Sequence, residues 1–313
     1  IKNFLFSPVF ISYKKIRNEE KAFVEGLILS SYAFTRYFSK TEKNSLSIFC
    51  DDKLLKEISE QIVIIERVMY ARDLVNEPNS YLTAKKLSEE IVEHFKNARN
   101  VSVKVLNKEE IIREGMGGLL NVNRGSPNPP TFTIIEYKPD KYLNSNPVVL
   151  VGKGIVFDTG GLSLKPTHNS MDYMKCDMAG AASVVSVISA VSSIQLPIYV
   201  VGLIPATDNR PGENAYAPGD IIKMHNGKYV EVMNTDAEGR LILADALSYA
   251  RRYNPMITID IATLTGAATV VAGRYAMVGM GTLPQTYKTL LMEAGMEAGE
   301  RIIELPLFDD YFE

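Results

Sequence analysis

Four apolar residues in a row, Val148-Val149-Leu150-Val151, run into Gly152-Lys153-Gly154, and this stretch limits the possible folds more than any other. A strand with one wet face alternates apolar and polar residues. One that is apolar at every position must be covered on both faces, as central strands of α/β sheets are. Around it, helix and strand signals alternate. The spacing predicts helices at 83–97 and 179–193, and strands at 101–106, 131–137, 147–152, 198–203, 229–233 and 256–261. His225-Asn226-Gly227-Lys228 supplies an antiparallel hairpin through its Asn-Gly turn. The expected fold class is α/β, with a mixed, mostly parallel central sheet flanked by helices.

The first quarter reads as mainly helical. Phe23, Leu27, Phe34 and Phe38 fall on one helical face, and Leu55, Ile58, Ile62, Ile65 and Met69 on another, with a short strand at Ser45 to Cys50 between them. Asn76-Glu77-Pro78-Asn79 stops the second helix, because a residue before proline is pushed out of the α region. This puts a boundary near residue 75. The chain opens on Ile1 and closes on Asp309-Asp310-Tyr311-Phe312-Glu313, which resembles the start of another helix, so both ends read as cuts.

Composition narrows the function classes. A net charge of −3 gives no electrostatic reason to expect nucleic acid. No run approaches the roughly 18 to 20 apolar residues of a membrane-spanning helix, and no secretory signal opens the chain. The two cysteines, Cys50 and Cys176, do not make a disulfide framework, so a reducing cytosol is the default compartment.

Chemistry concentrates in three clusters at element ends. Asn234-Thr235-Asp236-Ala237-Glu238-Gly239-Arg240-Leu241 places two carboxylates two positions apart, which an extended segment would turn to the same side. Leu243, Ala246, Leu247 and Ala250 then predict a helix opening near Gly239. Arg240 would stand at its positive end, a poor place for a cation unless an anion binds there too. Asp158-Thr159-Gly160-Gly161, between Lys153 and Lys165, follows the apolar strand, and Asp177 precedes a helix of small residues. Taken singly, each feature has a plain structural reading: Asp236 and Glu238 as helix caps, Asp158 as a turn, the lysines as solvated, Arg240 paired with Glu238, Met174 as core filler, Cys176 as a small buried residue.

Jointly the picture changes. Like charges about 4 Å apart cost about 4 kcal/mol per pair at an effective dielectric near 20. Convergence of Asp158, Asp177, Asp236 and Glu238 therefore demands cations or protonation, and two divalent ions balance the four carboxylates, as in a two-metal hydrolytic site. None of His94, His168 and His225 lies in a cluster. An oxygen-rich donor set admits manganese or magnesium as well as zinc.

These stretches together resemble the leucyl aminopeptidase family of cytosolic dinuclear-metal peptidases. Asn234 to Leu241 is similar to that family's signature. Gly152 to Pro166 and Met174 to Ala182 are similar to its other metal-binding blocks, and Arg72 to Pro78 to the entry into its catalytic domain. The resemblance implies an N-terminal domain remnant at 1–50, a linker helix at 51–75 and an incomplete metallopeptidase domain at 76–313. It implies that Lys153, Asp158, Asp177, Asp236 and Glu238 bind two divalent ions, Mn2+ or Zn2+ and possibly Mg2+, with Asp158 and Glu238 shared between them. Lys165 would polarise the peptide carbonyl, and Arg240 would hold a bicarbonate that takes a proton from the attacking water and returns it to the leaving amine. Met174, Thr263, Leu264 and Gly266 would line an apolar pocket for the first side chain of a peptide, leucine preferred. A homohexamer in the cytoplasm, with peptide substrates and neither membrane nor nucleic acid as partner, completes the implied picture. Two alternatives stay open: a DNA-binding or architectural role, and an inactive scaffold.

Overall fold

The computed structural model describes residues 18–40 and 52–312. The strand expected at Ser45 to Cys50 lies outside them. Two compact units divide the chain, one running to Thr263 and the other from Leu264.

In the first unit the elements run α1 (Asn18–Ser30), α2 (Asp52–Asn76), α3 (Ala84–Phe95), β1 (Val101–Leu106), α4 (Lys108–Glu114), α5 (Gly117–Val122), β2 (Thr131–Tyr137), β3 (Val148–Gly152) and β4 (Gly154–Asp158). Then follow α6 (Ala179–Ser193), β5 (Val200–Asn209), β6 (Ile221–Lys223), β7 (Tyr229–Glu231), α7 (Glu238–Ala250) and β8 (Ile257–Ile261). The main sheet has the order β1-β2-β5-β3-β8, with β4 also on β5. The β1–β2 and β2–β5 pairings are antiparallel, whereas β3 and β4 on β5 and β3 on β8 are parallel. This is the mixed, mostly parallel sheet that the sequence predicts.

Both faces are covered. Val149 and Val151 pack with Phe132, Val201, Leu203 and the apolar side of α4, α5 and α7. Leu150 points the other way, into a core shared with α2, α3 and α6. Alternate residues of β3 thus enter opposite cores, the period-2 geometry that makes an uninterrupted apolar run necessary. On the α7 face, the buried carboxylate of Asp245 accepts from the backbone N–H of Leu119 (3.0 Å) and His225 (2.9 Å), tying α7 to α5 and to the hairpin.

Four expectations are corrected. Phe34 and Phe38 do not continue the first helix, which ends at Ser30; the segment after it is irregular and docks on α2 through Tyr32 to Asp73 (2.8 Å) and Tyr37 to Glu77 (2.6 Å). Strand β5 continues past Leu203 to Asn209 despite Pro205, because β3 and β4 line up end to end along one of its edges and keep the pairing going. Asp158 closes strand β4 instead of forming a turn. Finally, Met171–Ser193 is long and apolar enough by composition to cross a bilayer, yet it is mostly buried, which accounts for its apolarity as core packing. The hairpin forms as expected, with β6 antiparallel to β7 and Gly227 at φ 84°, although β7 stops two residues short of Met233.

The second unit contains α8 (Ala267–Ala272), β9 (Ala276–Gly279), α9 (Gln285–Glu297) and β10 (Arg301–Glu304). Strands β9 and β10 are parallel, which requires a crossover, and α9 provides it.

His94 joins three helices of the first unit: it sits on α3, stacks on Tyr70 of α2 (4.1 Å between centroids) and meets Ser189 Oγ of α6 at 2.7 Å. Burial, and secondarily the nearby Arg67 charge, hold its pKa below the ordinary 6.5. The folded protein keeps the ring neutral where the unfolded chain would protonate it, so this contribution is present above the unfolded pKa and lost as pH falls through the folded one. Thermal melts taken between about pH 7 and about pH 5 should show wild type losing stability relative to His94→Gln as pH falls, since only the His94 contribution differs between them.

Candidate metal centre

Lys153 occupies a one-residue break between β3 and β4. Its N–H donates to the Ile261 carbonyl (3.0 Å) and its carbonyl accepts from Ala181 N–H (3.0 Å), so the break leaves no backbone group unsatisfied. Gly180 permits this approach of α6: a Cβ there would lie 2.0 Å from the Ile261 oxygen. The Lys153 side chain is buried, with Nζ 2.8 Å from Asp177 Oδ1, 2.8 Å from Glu238 Oε1 and donating to the Thr263 carbonyl at 2.9 Å. Asp177 lies one residue beyond the 3-10 run Met171–Cys176, just ahead of α6, and accepts from Thr263 Oγ1 at 2.7 Å.

A second lysine serves the other half. Lys165 Nζ stands 3.0 Å from Asp158 Oδ2 and 2.5 Å from Asp236 Oδ1. The loop between Asp158 and Lys165 is closed by Lys165 N–H on the Thr159 carbonyl (2.9 Å). Gly160 has φ 85°, and a Cβ there would come 2.9 Å from Asp236 Oδ1, so only glycine lets the loop pass this close.

The extended geometry expected for Asp236 and Glu238 does not occur. Asn234 Oδ1 accepts from Asp236 N–H (2.8 Å) and caps a single 3-10 turn, Thr235–Ala237, and Glu238 is the first residue of α7. The two carboxylates converge all the same. Oxygens of Asp158, Asp236 and Glu238 lie within 4.8 Å of one another, and Lys153 links Glu238 to Asp177. All five proposed ligands and Lys165 therefore form one continuous charged cluster at the carboxyl ends of β3 and β4, where parallel sheets place their ligands.

Electrostatics fit cations there. Burial, then the Glu238 charge, outweigh Lys153 and push the Asp177 carboxyl up to about 7. Burial also raises Glu238, against the pull of Lys153. For Lys153 burial opposes the charged form, but Asp177 and Glu238 prevail and raise its pKa. Asp177 Oδ2 and Glu238 Oε2 are buried without a hydrogen-bond partner among the described residues, a costly state for acceptors unless a cation takes them up. Four carboxylates against two ammonium groups leave a negative remainder, and the oxygen-dominated donors suit Mn2+, Mg2+ or Zn2+.

The remaining expected residues divide. Arg240 is exposed in the first turn of α7, and Glu238 pairs with Lys153 rather than with it. Met174 is half-buried, and its carbonyl accepts from Asp177 N–H at 3.3 Å. Thr263 supports Asp177 and Lys153 directly, a role that its place in a presumed side-chain pocket did not suggest. Leu264 and Gly266 belong to the second unit, where Leu264 is exposed and Gly266 precedes α8. Asn209 and Thr235 were not singled out from the sequence, although both hold ligand-bearing segments. The one signal available was a polar Thr207-Asp208-Asn209 ending on an apolar strand.

The model of the cytosol aminopeptidase family, catalytic domain, matches residues 69–313. The "Probable cytosol aminopeptidase" of Chlorobium limicola is 46% identical over 312 residues, which cover 93% of this chain and 61% of the relative. Its counterpart in Roseiflexus castenholzii is 40% identical, covering 100% and 65%. Among solved structures, leucine aminopeptidase (LAP1) of Caenorhabditis elegans superposes with a TM-score of 0.85 at 30% identity, covering 94% of this chain and 60% of that one. The bottromycin maturation enzyme BotP, also solved in complex with Mn, gives 0.84 at 34%, covering 93% and 62%. The chain thus spans about three-fifths of the length of these relatives.

Neutralising the cluster should stabilise the fold measurably. Free Mn2+ at a hundredfold excess over its Kd is expected to add about 2.7 kcal/mol per site, seen as a rise in melting temperature that a chelator reverses. Glu238→Gln should shrink that rise.

Proposed function

The chain belongs to the cytosol aminopeptidase family, and from that premise we propose that its charged cluster is the active site of a two-metal aminopeptidase removing N-terminal residues from peptides. The observation that carries the reading is the gathering of Lys153, Asp158, Asp177, Asp236 and Glu238 around buried carboxylate oxygens that lack a hydrogen-bond partner among the described residues. Asp236 would complete the ligands of one divalent ion and Lys153 and Asp177 those of the other, with Asp158 and Glu238 shared between them; Mn2+ or Zn2+ are the first candidates and Mg2+ a third. When bound, such ions supply Lewis-acid activation of water and of the scissile carbonyl.

The chain's own groups divide the remaining work. As a ligand Lys153 would have to be neutral, and a dication held by the same carboxylates would reverse the balance that keeps it charged. Lys165 is the more exposed of the two lysines, its side chain 15% accessible against 3% for Lys153. It is therefore the one able to meet a substrate, donating to the oxygen that gains negative charge. Arg240, exposed at the positive end of α7 with Glu238 engaged elsewhere, suits a small anion such as bicarbonate, which would accept and return a proton. A free α-amino group on the substrate is the natural counterpart of an acidic, metal-dependent site and would restrict cleavage to the first residue. Met174 and Thr263 are proposed to shape the side-chain pocket and favour leucine, in a cytoplasmic homohexamer. The domain limits 1–50, 51–75 and 76–313 belong to the same reading.

Release of p-nitroaniline from Leu-p-nitroanilide, after loading with Mn2+ or Zn2+, tests it: turnover should need the metal and vanish for the N-acetylated substrate. Absence of metal-dependent turnover would count against the site. Asp236→Ala should abolish the activity while far-UV circular dichroism stays unchanged. Lys165→Ala should lower kcat by about 10²- to 10³-fold.

A further inference from the structure

Asn209 ends β5 and is completely buried, and no group on it faces solvent. Its carboxamide nitrogen donates to Asp158 Oδ1 at 2.8 Å and to the Thr235 carbonyl at 3.0 Å. Its backbone carbonyl accepts from Thr159 N–H (3.0 Å) and Thr159 Oγ1 (2.8 Å). One residue therefore grips two segments more than 70 positions apart in the chain, the one that carries Asp158 and the one that carries Asp236 and Glu238. The carboxamide has a single tolerable orientation, because turning it over would set its oxygen against two acceptors. Its oxygen has no hydrogen-bond partner among the described residues and rests against Gly161, where a Cβ would come 2.8 Å from it.

We infer that Asn209 is a positioning residue for the metal centre, a clamp that sets the spacing between Asp158 and the Asp236 segment; this rests on the two-metal reading above. With Gly160 N–H also on Asp158 Oδ1 (2.8 Å), that oxygen is committed to the protein, and Oδ2 is left facing Lys165 and the cluster. The clamp bears on Asp158, which the two ions would share, and on the segment of Asp236. Asp177 is held separately, by Thr263 Oγ1 and Lys153, whereas the Asn209 carboxamide bonds to Asp158 and Thr235. Loss of the carboxamide donors should therefore weaken most the ion that Asp236 helps to hold, and less the ion completed by Lys153 and Asp177, for which only the shared Asp158 is loosened.

Mn2+ titration of the full chain, followed by calorimetry and by electron paramagnetic resonance, tests the clamp in Asn209→Leu, which keeps the side-chain shape without its N–H groups, and in Asn209→Ala. Wild type should take up two ions and show a coupled Mn–Mn signal. In both variants one binding step should weaken by about 10- to 100-fold, the coupled signal should give way to that of an isolated ion, and the other step should weaken less. Two steps of wild-type affinity, or equal weakening of both, overturn the clamp. Wild-type protein that takes up no Mn2+ overturns the two-metal reading itself, and the clamp with it. Should the variants not melt cooperatively, Gly161→Ala leaves Asn209 in place and presses a methyl group on its Oδ1; the same unequal loss is expected there, and its absence refutes the inference.

Discussion

Four carboxylates drawn together at the end of a sheet repel one another, and this repulsion organises the rest of the structure. The chain supplies two lysine ammonium groups against it, each lying between two of the acids: Lys153 between Asp177 and Glu238, Lys165 between Asp158 and Asp236. That is half the charge required. Buried carboxylate oxygens without partners mark where the balance is still owed, and a divalent cation is the species of the right charge and affinity for oxygen.

Keeping such a cluster assembled needs a rigid frame. The sheet provides it, packed on one face by α4, α5 and α7 and on the other by α2, α3 and α6, so that strand ends cannot drift apart without opening a core. Into this frame the chain sets one irregularity, the break at Lys153, whose backbone bonds sideways to β8 and α6. A continuous strand would have sent the Lys153 side chain to one face of the sheet; the break lets it emerge at the strand end among the acids.

Around the acids stands a ring of neutral groups that carry no charge and fix position. Thr263 holds Asp177, and Asn209 holds Asp158 together with the Thr235 carbonyl, which also accepts from Tyr216 at 2.6 Å. Thr235 Oγ1 in turn donates to the Gly160 carbonyl at 2.6 Å, closing the glycine loop onto the ligand-bearing turn. Such supporting bonds restrict where each carboxylate can point, which a charged cluster left to itself would not do.

Much of this was legible in the amino-acid order alone. The apolar run at 148–151 demanded a doubly covered strand, and the spacing of Asp158, Asp177, Asp236 and Glu238 near glycines and element ends named the acids, because residue type and local periodicity are properties of neighbours in sequence. What the order could not show is who meets whom across the fold. Asp236 and Glu238 converge through a capped turn and not along a strand, β5 runs through a proline because β4 continues its edge, and Asn209 and Thr263 become supports only when β5 and the end of β8 arrive beside the acids. Those facts depend on pairing between segments separated by dozens of residues, which packing and hydrogen bonding decide and local propensity does not record.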